Sequence, residues 1–426
     1  MKELLFCAVP LLAGWASVPG LDSIYPELDA FYIDLHQSPE LSKQEEKTAA
    51  KLADRLGRLG YQVTTGVGGN GVVAVMRNGS GPTLMLRADM DALPVLENTG
   101  LPYASKAVGK GSAGTAVPVM HACGHDVHMT SLLGAATLLS RMKDRWSGTL
   151  LLIGQPAEET GTGAEAMLKD GLYTRFPKPN FAVSLHDSAD LPSGQIGYTP
   201  GFALASVDSV DIVIFGRGGH GAYPHRTVDP IVIAARTVLA LQTIVARENN
   251  PLDPAVVTVG SIHGGSKHNV IPDEVKLQLT VRTYKDEVRK KVLSAIERIA
   301  KAEASAAGAT KEPKVTVSES IGATYNDPAL TKRIVGILSK EIGAANVVER
   351  PPVMGGEDFG AFGRAGVPAM QFAVGAVEPQ NYKMAMAEGT PLPTLHSSEF
   401  APDRERTLRT GVTSLTVIAL DLLAKK

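Results

Sequence analysis

Six consecutive residues, His121-Ala122-Cys123-Gly124-His125-Asp126, concentrate groups able to bind a metal ion. The chain has two cysteines, and Cys7 lies in an N-terminal segment that reads as removable. Loss of that segment leaves Cys123 with no partner for an internal disulfide. A lone Cys two residues from a His, with further His and the pair Glu158-Glu159 downstream, points to a thiolate metal ligand. Four groups carry the chemistry: Asp89, Cys123 with His125, Glu158 with Glu159, and His186. Two adjacent carboxylates cannot easily share one task, so one can bind a cation while the other handles a proton.

The elements that must position these groups follow from period and punctuation. Ser42-Lys43-Gln44-Glu45 reads as a capping box opening an amphipathic helix that Gly60 ends. The paired Glu45-Glu46 reads as a solvated helix face. Strands are predicted at 61–65, 71–76, 83–87, 149–154 and 181–185, and helices at 125–142 and 163–169. Alternating strands and helices imply an α/β fold, with a mostly parallel sheet flanked by helices on both faces. Asp89, Glu158-Glu159 and His186 then each lie just past a strand's carboxyl end, the rim where open α/β sheets bind ligands. Cys123 and His125 stand at the start of the next helix, where free amides and the helix dipole favour a thiolate.

The middle of the chain changes pattern. Val210, Ile212 and Ile214 alternate as in a strand. A helix at 229–248 opened by Asp229-Pro230, strands at 255–262 and 274–284, a helix at 286–307 and a strand at 314–318 follow. The order β-α-β-β-α-β is the split ferredoxin-like unit. Residues 206–320 therefore read as an inserted dimerisation or lid domain between two parts of a catalytic domain, 21–205 and 321–426. The second part carries a helix at 327–342, a strand at 369–374 and a terminal helix from about 402. The segment 375–394 shows no clear period and reads as a loop walling the site.

Bulk properties set the class. The 426 residues suffice for two domains, and 44% hydrophobic with 20% charged residues is ordinary for a soluble globular protein. A net charge of −2 gives no support for nucleic-acid binding. No apolar run after the N-terminus reads as a bilayer span in the mature chain. The apolar stretch from Leu4 to Ala13, then Gly14-Trp15-Ala16, reads as a signal peptide within residues 1–20. Export to a bacterial periplasm or the medium is expected. The other reading is an apolar helix packed on a cytoplasmic protein.

Eight motifs, in order, resemble one family. They are Leu35-His36-Gln37 with Pro39-Glu40-Leu41; Leu86 to Pro94; His121 to Asp126 with His128; and Gln155-Pro156-Ala157-Glu158-Glu159. Then come Gly219 to His225, Asn269-Val270-Ile271-Pro272-Asp273, Met354-Gly355-Gly356-Glu357-Asp358-Phe359, and His396-Ser397. Together they resemble the N-acyl-amino-acid amidohydrolases (hippurate hydrolase and the auxin-conjugate hydrolases), in the aminoacylase and carboxypeptidase G group of two-metal peptidases.

The resemblance implies metal-dependent hydrolysis of the amide of an N-acyl amino acid or short peptide. It implies two divalent cations held by Cys123, His125, Glu159, His186 and His396, with Cys123 bridging. Sulfur and imidazole suit zinc first, with manganese or cobalt as alternatives. It makes Glu158 the general base. It makes His220, aided by Asn269, a donor reaching a neighbouring subunit's site in a homodimer. Arg282 is a candidate for the substrate carboxylate, since a guanidinium fork fits that geometry, and Gly355 and Gly356 offer amides. Asp89 orients a ligand histidine or the metals. His36, His121, His128, His225, His263 and His268 read as structural or supporting. A metallocarboxypeptidase or dipeptidase on the same scaffold, and a catalytically silent binding protein, are the competing readings. The chain departs from relatives at Arg87, where neighbouring branches have His. It departs again at Asp187-Ser188 and Ser397-Ser398, which touch the pocket rim.

Overall fold

The computed structural model describes residues 18–425. The predicted signal segment therefore lies almost wholly outside the described residues, as does Cys7. An eight-stranded sheet runs in the order Gln62–Val67, Gly71–Asn78, Gly148–Gln155, Thr83–Asp89, Phe181–Pro192, Ala369–Val377, Ile196–Tyr198, Val347–Glu349. Its centre is parallel: Thr83–Asp89 pairs in parallel with both neighbours, and Phe181–Pro192 with Ala369–Val377. Antiparallel pairings flank this centre.

Thr83–Asp89 is buried along its whole length because helices cover both faces. Its side chains alternate between two cores. Leu84, Leu86 and Ala88 join Leu132, Leu139 and Val412 on one side, while Met85 joins Met167, Phe359 and Phe362 on the other. Helix His125–Arg141 runs through the first of these layers and is buried on nearly every side.

A second sheet is antiparallel throughout, in the order Ala255–His263, Glu274–Thr283, Ser206–Phe215, Lys314–Ile321. Burial alternates strictly along Ser206–Phe215, so one face is covered. Helices Pro230–Thr243 and Asp286–Ala306 supply that cover through Ile233, Leu241, Val292 and Ile296. The connectivity is the ferredoxin-like order expected from the periodicity. The helical stretch Pro230–Glu248 is long and apolar enough, by length and composition, to cross a membrane. Its inward side is core of this sheet, through Ile233, Ala234, Leu241 and Ile244.

Three local expectations fail for physical reasons. Ser42 caps no helix: its hydroxyl donates to Asp91 Oδ2 at 2.5 Å, and the helix runs Glu46–Arg58 without a side-chain cap. Glu45 is not solvated but fully buried, its carboxylate accepting the Ala157 N–H at 2.8 Å and the Asn70 amide at 3.0 Å. Within 375–394 the chain forms helix Pro379–Glu388, capped by the Glu378 carboxylate on the Gln380 and Asn381 amides. Pro379 at the first turn and left-handed Gly389 after the last are ordinary helix boundaries.

A helix the sequence reading passed over, Leu21–Gln37, is tied to the site's scaffold by His36. That imidazole lies between Asp126 Oδ2, 2.7 Å from Nδ1, and Glu97 Oε1, 3.1 Å from Nε2. Burial alone would lower its pKa, but the two carboxylates outweigh it and raise the pKa to about 9. The start of helix His125–Arg141 is thereby braced from behind.

Candidate metal centre

The sheet delivers its polar groups to one rim. Asp89 is the last residue of its strand rather than one past it, and His186 lies inside the long strand Phe181–Pro192, in register with Ala373. Glu158 and Glu159 follow Gly148–Gln155 through a turn in which Ala157 takes φ 52°, a left-handed conformation uncommon for a residue with a side chain. Cys123 precedes Gly124, whose φ of 72° starts the next helix. A Cβ on Gly124 would fall 2.1 Å from Asp187 Oδ2, so only glycine fits. His396 also has positive φ (65°), and its N–H donates to Ala122 O at 2.8 Å, bringing a residue from the far end of the chain onto the Cys123 turn.

These turns bring the five expected ligands together. Cys123 Sγ lies 3.6 Å from His186 Nε2 and 3.3 Å from His396 Nε2. Glu159 reaches His125 Nε2 at 3.8 Å and His396 Nε2 at 3.5 Å. Two triads have donor atoms all within 4.8 Å of one another, Cys123-His125-His186 and Cys123-Glu159-His396, and the sulfur stands in both. Ligand bonds of about 2.0–2.3 Å in tetrahedral geometry separate donors by roughly 3.3–3.8 Å, which is the spacing seen.

The donor set fits cations on a second ground. Both ring nitrogens of His125 and Glu159 Oε1 are buried without a hydrogen-bond partner, a costly state that a bound cation relieves. His186 donates Nδ1–H to its neighbour's carbonyl, Asp187 O, at 2.8 Å, leaving Nε2 as a lone pair facing the sulfur.

The electrostatics correct one expectation. The helix start was expected to favour a Cys123 thiolate. Instead burial, then Glu159 and Glu158, push the thiol well above its usual range. Ionising it requires cationic charge beside it. Burial pulls His125 down, but Asp89, Asp91 and Glu159 outweigh it and raise the pKa to about 9. Burial, then Glu357 and Glu159, push Glu158 well up. Its Oε2 is 3.9 Å from His125 Nε2. Excess buried negative charge is thus the character of this rim.

Beneath it lies a network the sequence did not show. Arg87 is wholly buried, and its guanidinium donates to Asp89 Oδ2 at 2.5 Å, Glu357 Oε1 at 2.8 Å, Asp358 Oδ1 at 3.1 Å and Gln155 Oε1 at 2.9 Å. Asp89 also meets His128 Nδ1 at 2.5 Å and stands 3.8 Å from His125 Nε2. The Asp187 N–H donates to His128 Nε2 at 2.9 Å, so His128 supports the histidine ligands from behind. Glu357 and Asp358 stand in the sequence only as two acids between a glycine pair and Phe359, and their burial shows in the structure alone.

The remaining candidates lie apart. Arg282 is beside Gly356: a Cβ there would be 3.6 Å from Arg282 Nη1 and 2.2 Å from Val207 Cγ2. Its Nε donates to the Thr280 hydroxyl at 3.1 Å. Gly355 is exposed, and its carbonyl accepts from Ala205 N at 2.9 Å. His220 is exposed on the short ribbon Gly219–His220 with Val270–Ile271, its Nδ1 accepting the Ala222 N–H at 3.0 Å. Asn269 adjoins that ribbon with Oδ1 buried and unpartnered. Neither His220 nor Asn269 makes a polar contact with the five-ligand cluster among the described residues.

Comparison with known proteins agrees with this geometry. Residues 85–395 match the model of peptidase family M20/M25/M40. The chain belongs to that family. The M20 chain is 38% identical over 390 residues to thermostable carboxypeptidase 2 of Saccharolobus solfataricus, covering 91% of this chain and 93% of the relative. It is 36% identical over 349 residues to hippurate hydrolase of Campylobacter jejuni, covering 81% and 87%. The solved Bacillus subtilis YXEP protein, a dinuclear metal-binding peptidase, superposes with TM-score 0.76 at 29% identity over 94% and 99% of the two chains. The M20 chain is a metal-dependent amidohydrolase, and its clustered donors suit two divalent cations.

Proposed function

We propose that this M20 chain hydrolyses the amide bond of N-acyl amino acids, with Glu158 as general base and the cations held by Cys123, His125, Glu159, His186 and His396. One observation supports the reading: a single left-handed turn brings Glu159 within reach of the Cys123, His125 and His396 side chains, with Glu158 next to it. Bound divalent cations would polarise the acyl carbonyl and acidify the attacking water. Glu158 takes the water's proton and delivers it to the leaving nitrogen. Asp89 holds the ligand histidines through His128. Arg282, next to the Gly355–Gly356 backbone, receives the product-side carboxylate through its paired N–H groups. Zinc is the first candidate for both cations, manganese or cobalt the alternatives.

The hippurate hydrolase relative supports an N-acyl amino acid, and the carboxypeptidase relative supports the competing peptide reading. A substrate panel separates them. Hippurate and N-acetyl amino acids are expected to exceed free dipeptides by at least about tenfold in kcat/KM. Dipeptides ahead of both would turn the assignment to a dipeptidase.

The proposal includes a homodimer built on the inserted sheet. Ala255–His263 is an edge strand, and Ile262 on it is exposed. The adjoining helix exposes Ile231, Val232 and Leu239, the last at 73%. An uncovered edge beside an apolar helix face favours pairing with a second copy. His220 is read as serving the partner's site. His220→Ala and Glu158→Ala are each expected to be inactive. Statistical subunit exchange should then restore roughly a quarter of wild-type activity, because half the dimers carry one intact site. No recovery after verified exchange rejects the crossing histidine. Export is likewise a proposal, supported by the apolar stretch from Leu4 to Ala13.

A further inference from the structure

Four residues stand opposite one another across the second sheet: Ile321, Val207, Arg282 and Val256, on Lys314–Ile321, Ser206–Phe215, Glu274–Thr283 and Ala255–His263 in turn. Residues paired across strands point to the same side. Val207 is on the half-buried phase of its strand, the side that helices Pro230–Thr243 and Asp286–Ala306 leave open. Further along that side the pairs turn polar: Ser209 opposes Thr280 and Glu319, and Asp211 opposes Gln278 and Thr316. Val207 and Ile321 are an apolar pair outside the core under those helices.

They pack on the catalytic sheet's loops instead. A Cβ on Gly161 would fall 2.0 Å from Ile321 Cδ1 and 2.3 Å from Cγ1, and one on Gly356 would fall 2.2 Å from Val207 Cγ2. Gly161 closes the Glu158–Glu159 turn, its N–H donating to Glu158 O at 2.6 Å. Gly356 precedes Glu357, which Arg87 holds beneath the rim. The strand's exit is tied to the same place: the Thr324 hydroxyl donates to Glu357 O at 3.0 Å, and Arg364 Nη1 donates to Ala323 O at 2.8 Å.

On the reading of Glu158 as base and Glu159 as ligand, we propose that Ile321, steadied by Val207, is a positioning residue that props the Glu158–Glu159 turn from the second sheet. The turn bends through Ala157 at φ 52° and Gly161 at φ 63°, with both acids between these left-handed residues. Glycine resists rotation least of all residues, so its end of the turn keeps its shape only when packed from outside. Ile321 supplies that packing with a stiff, β-branched side chain, and close-packed contacts transmit small shifts instead of absorbing them. Arg282 lies two places along the same row. The candidate for the substrate carboxylate and the prop under the base therefore move as one piece.

A size swap tests this, read by kcat and KM on hippurate, Zn²⁺ affinity by chelator competition, and thermal unfolding of metal-free protein. Ile321→Ala removes the prop and leaves Arg282 in place, so kcat is expected to fall about 10-fold with KM within about threefold. Gly161→Ala forces the two segments apart and should lower kcat at least about 100-fold. Together the substitutions fit: the new methyl of Gly161→Ala would lie 3.7 Å from Ile321 Cβ, an ordinary contact once the outer isoleucine carbons are gone. The double variant is expected to recover at least about tenfold in kcat over Gly161→Ala, a non-additivity that general destabilisation does not produce. A merely structural contact lowers the unfolding temperature of Ile321→Ala and leaves kcat alone. Ile321→Ala with kcat within about threefold of wild type overturns the proposal, and so does a double variant no better than Gly161→Ala. If Gly161→Ala does not fold, kcat and KM of Ile321→Ala decide alone. If wild type leaves hippurate uncut, Zn²⁺ affinity decides. A drop in Gly161→Ala that the double variant reverses means that the substrate reading falls and the prop stands, and unchanged affinity in both refutes the prop.

Discussion

Glu158→Gln is expected to lose turnover by at least about 10³-fold while retaining its divalent cations. Glutamine keeps the volume and the buried hydrogen-bonding shape but can neither accept nor return a proton. The environment suits that task. Burial, with Glu357, Glu159, Asp358 and Asp89 nearby, pushes the Glu158 carboxyl well above the ordinary carboxylate range. A carboxylate held there takes a proton from water more readily than an exposed one, and still surrenders it to an amine. The control is the neighbour. Glu159 lies 3.5 Å from His396 and 3.8 Å from His125, so Glu159→Gln is expected to lose cation as well as turnover. Metal analysis and kcat on both variants separate base from ligand. Cation lost from Glu158→Gln and kept by Glu159→Gln would reverse the two roles. The pH profile gives a further check. Activity that needs an ionised base rises as pH climbs through that group's pKa, so the acid limb of wild-type kcat/KM should be missing from the residual rate of Glu158→Gln.

The rim itself was legible because it is written in short stretches. Asp89, Glu158-Glu159 and His186 sit within or just past apolar runs whose lengths mark strands, and parallel strands end on a common side. The ferredoxin-like order was legible for the same reason: alternation such as Val210, Ile212, Ile214 survives in a sheet with one covered face. What failed to show depends on distance along the chain. Arg87 meets Glu357 across 270 residues, and nothing near Arg87 announces that a buried guanidinium will find three carboxylates. Glu45 reads as a surface acid in a helical pattern, yet 112 residues later the Ala157 amide requires it inside. Ser42 matches a helix cap locally, but the stronger acceptor is Asp91, 49 residues on. Helix Pro379–Glu388 was hidden differently: Glu378-Pro379 and Gly389 are boundaries that look like loop punctuation when the segment between them has little amphipathic contrast.

Cys123→Ser is expected to cost more than any single histidine. The sulfur belongs to both ligand triads, whereas His186 and His396 each belong to one of these two. His186→Ala should therefore retain one cation per chain, and Cys123→Ser fewer than one, with turnover down by about 10³-fold or more. The substitution is small in volume and leaves Gly124 and the Ala122–His396 contact in place, so the fold should survive it. What changes is acidity and softness. A serine hydroxyl ionises far less readily than a thiol, and its oxygen binds zinc less well than sulfur does. Burial, Glu159 and Glu158 already hold the Cys123 thiol in its protonated form, so cation binding must expel that proton. The sign follows: below the thiol's pKa, each rise of one pH unit should strengthen wild-type binding by at least about tenfold, and the serine variant should show a shallower slope. Chelator-competition titrations across the pH range measure both slopes. Equal slopes, or two cations still bound to Cys123→Ser, would mean that the sulfur is a bystander and that carboxylate and imidazole alone build the centre.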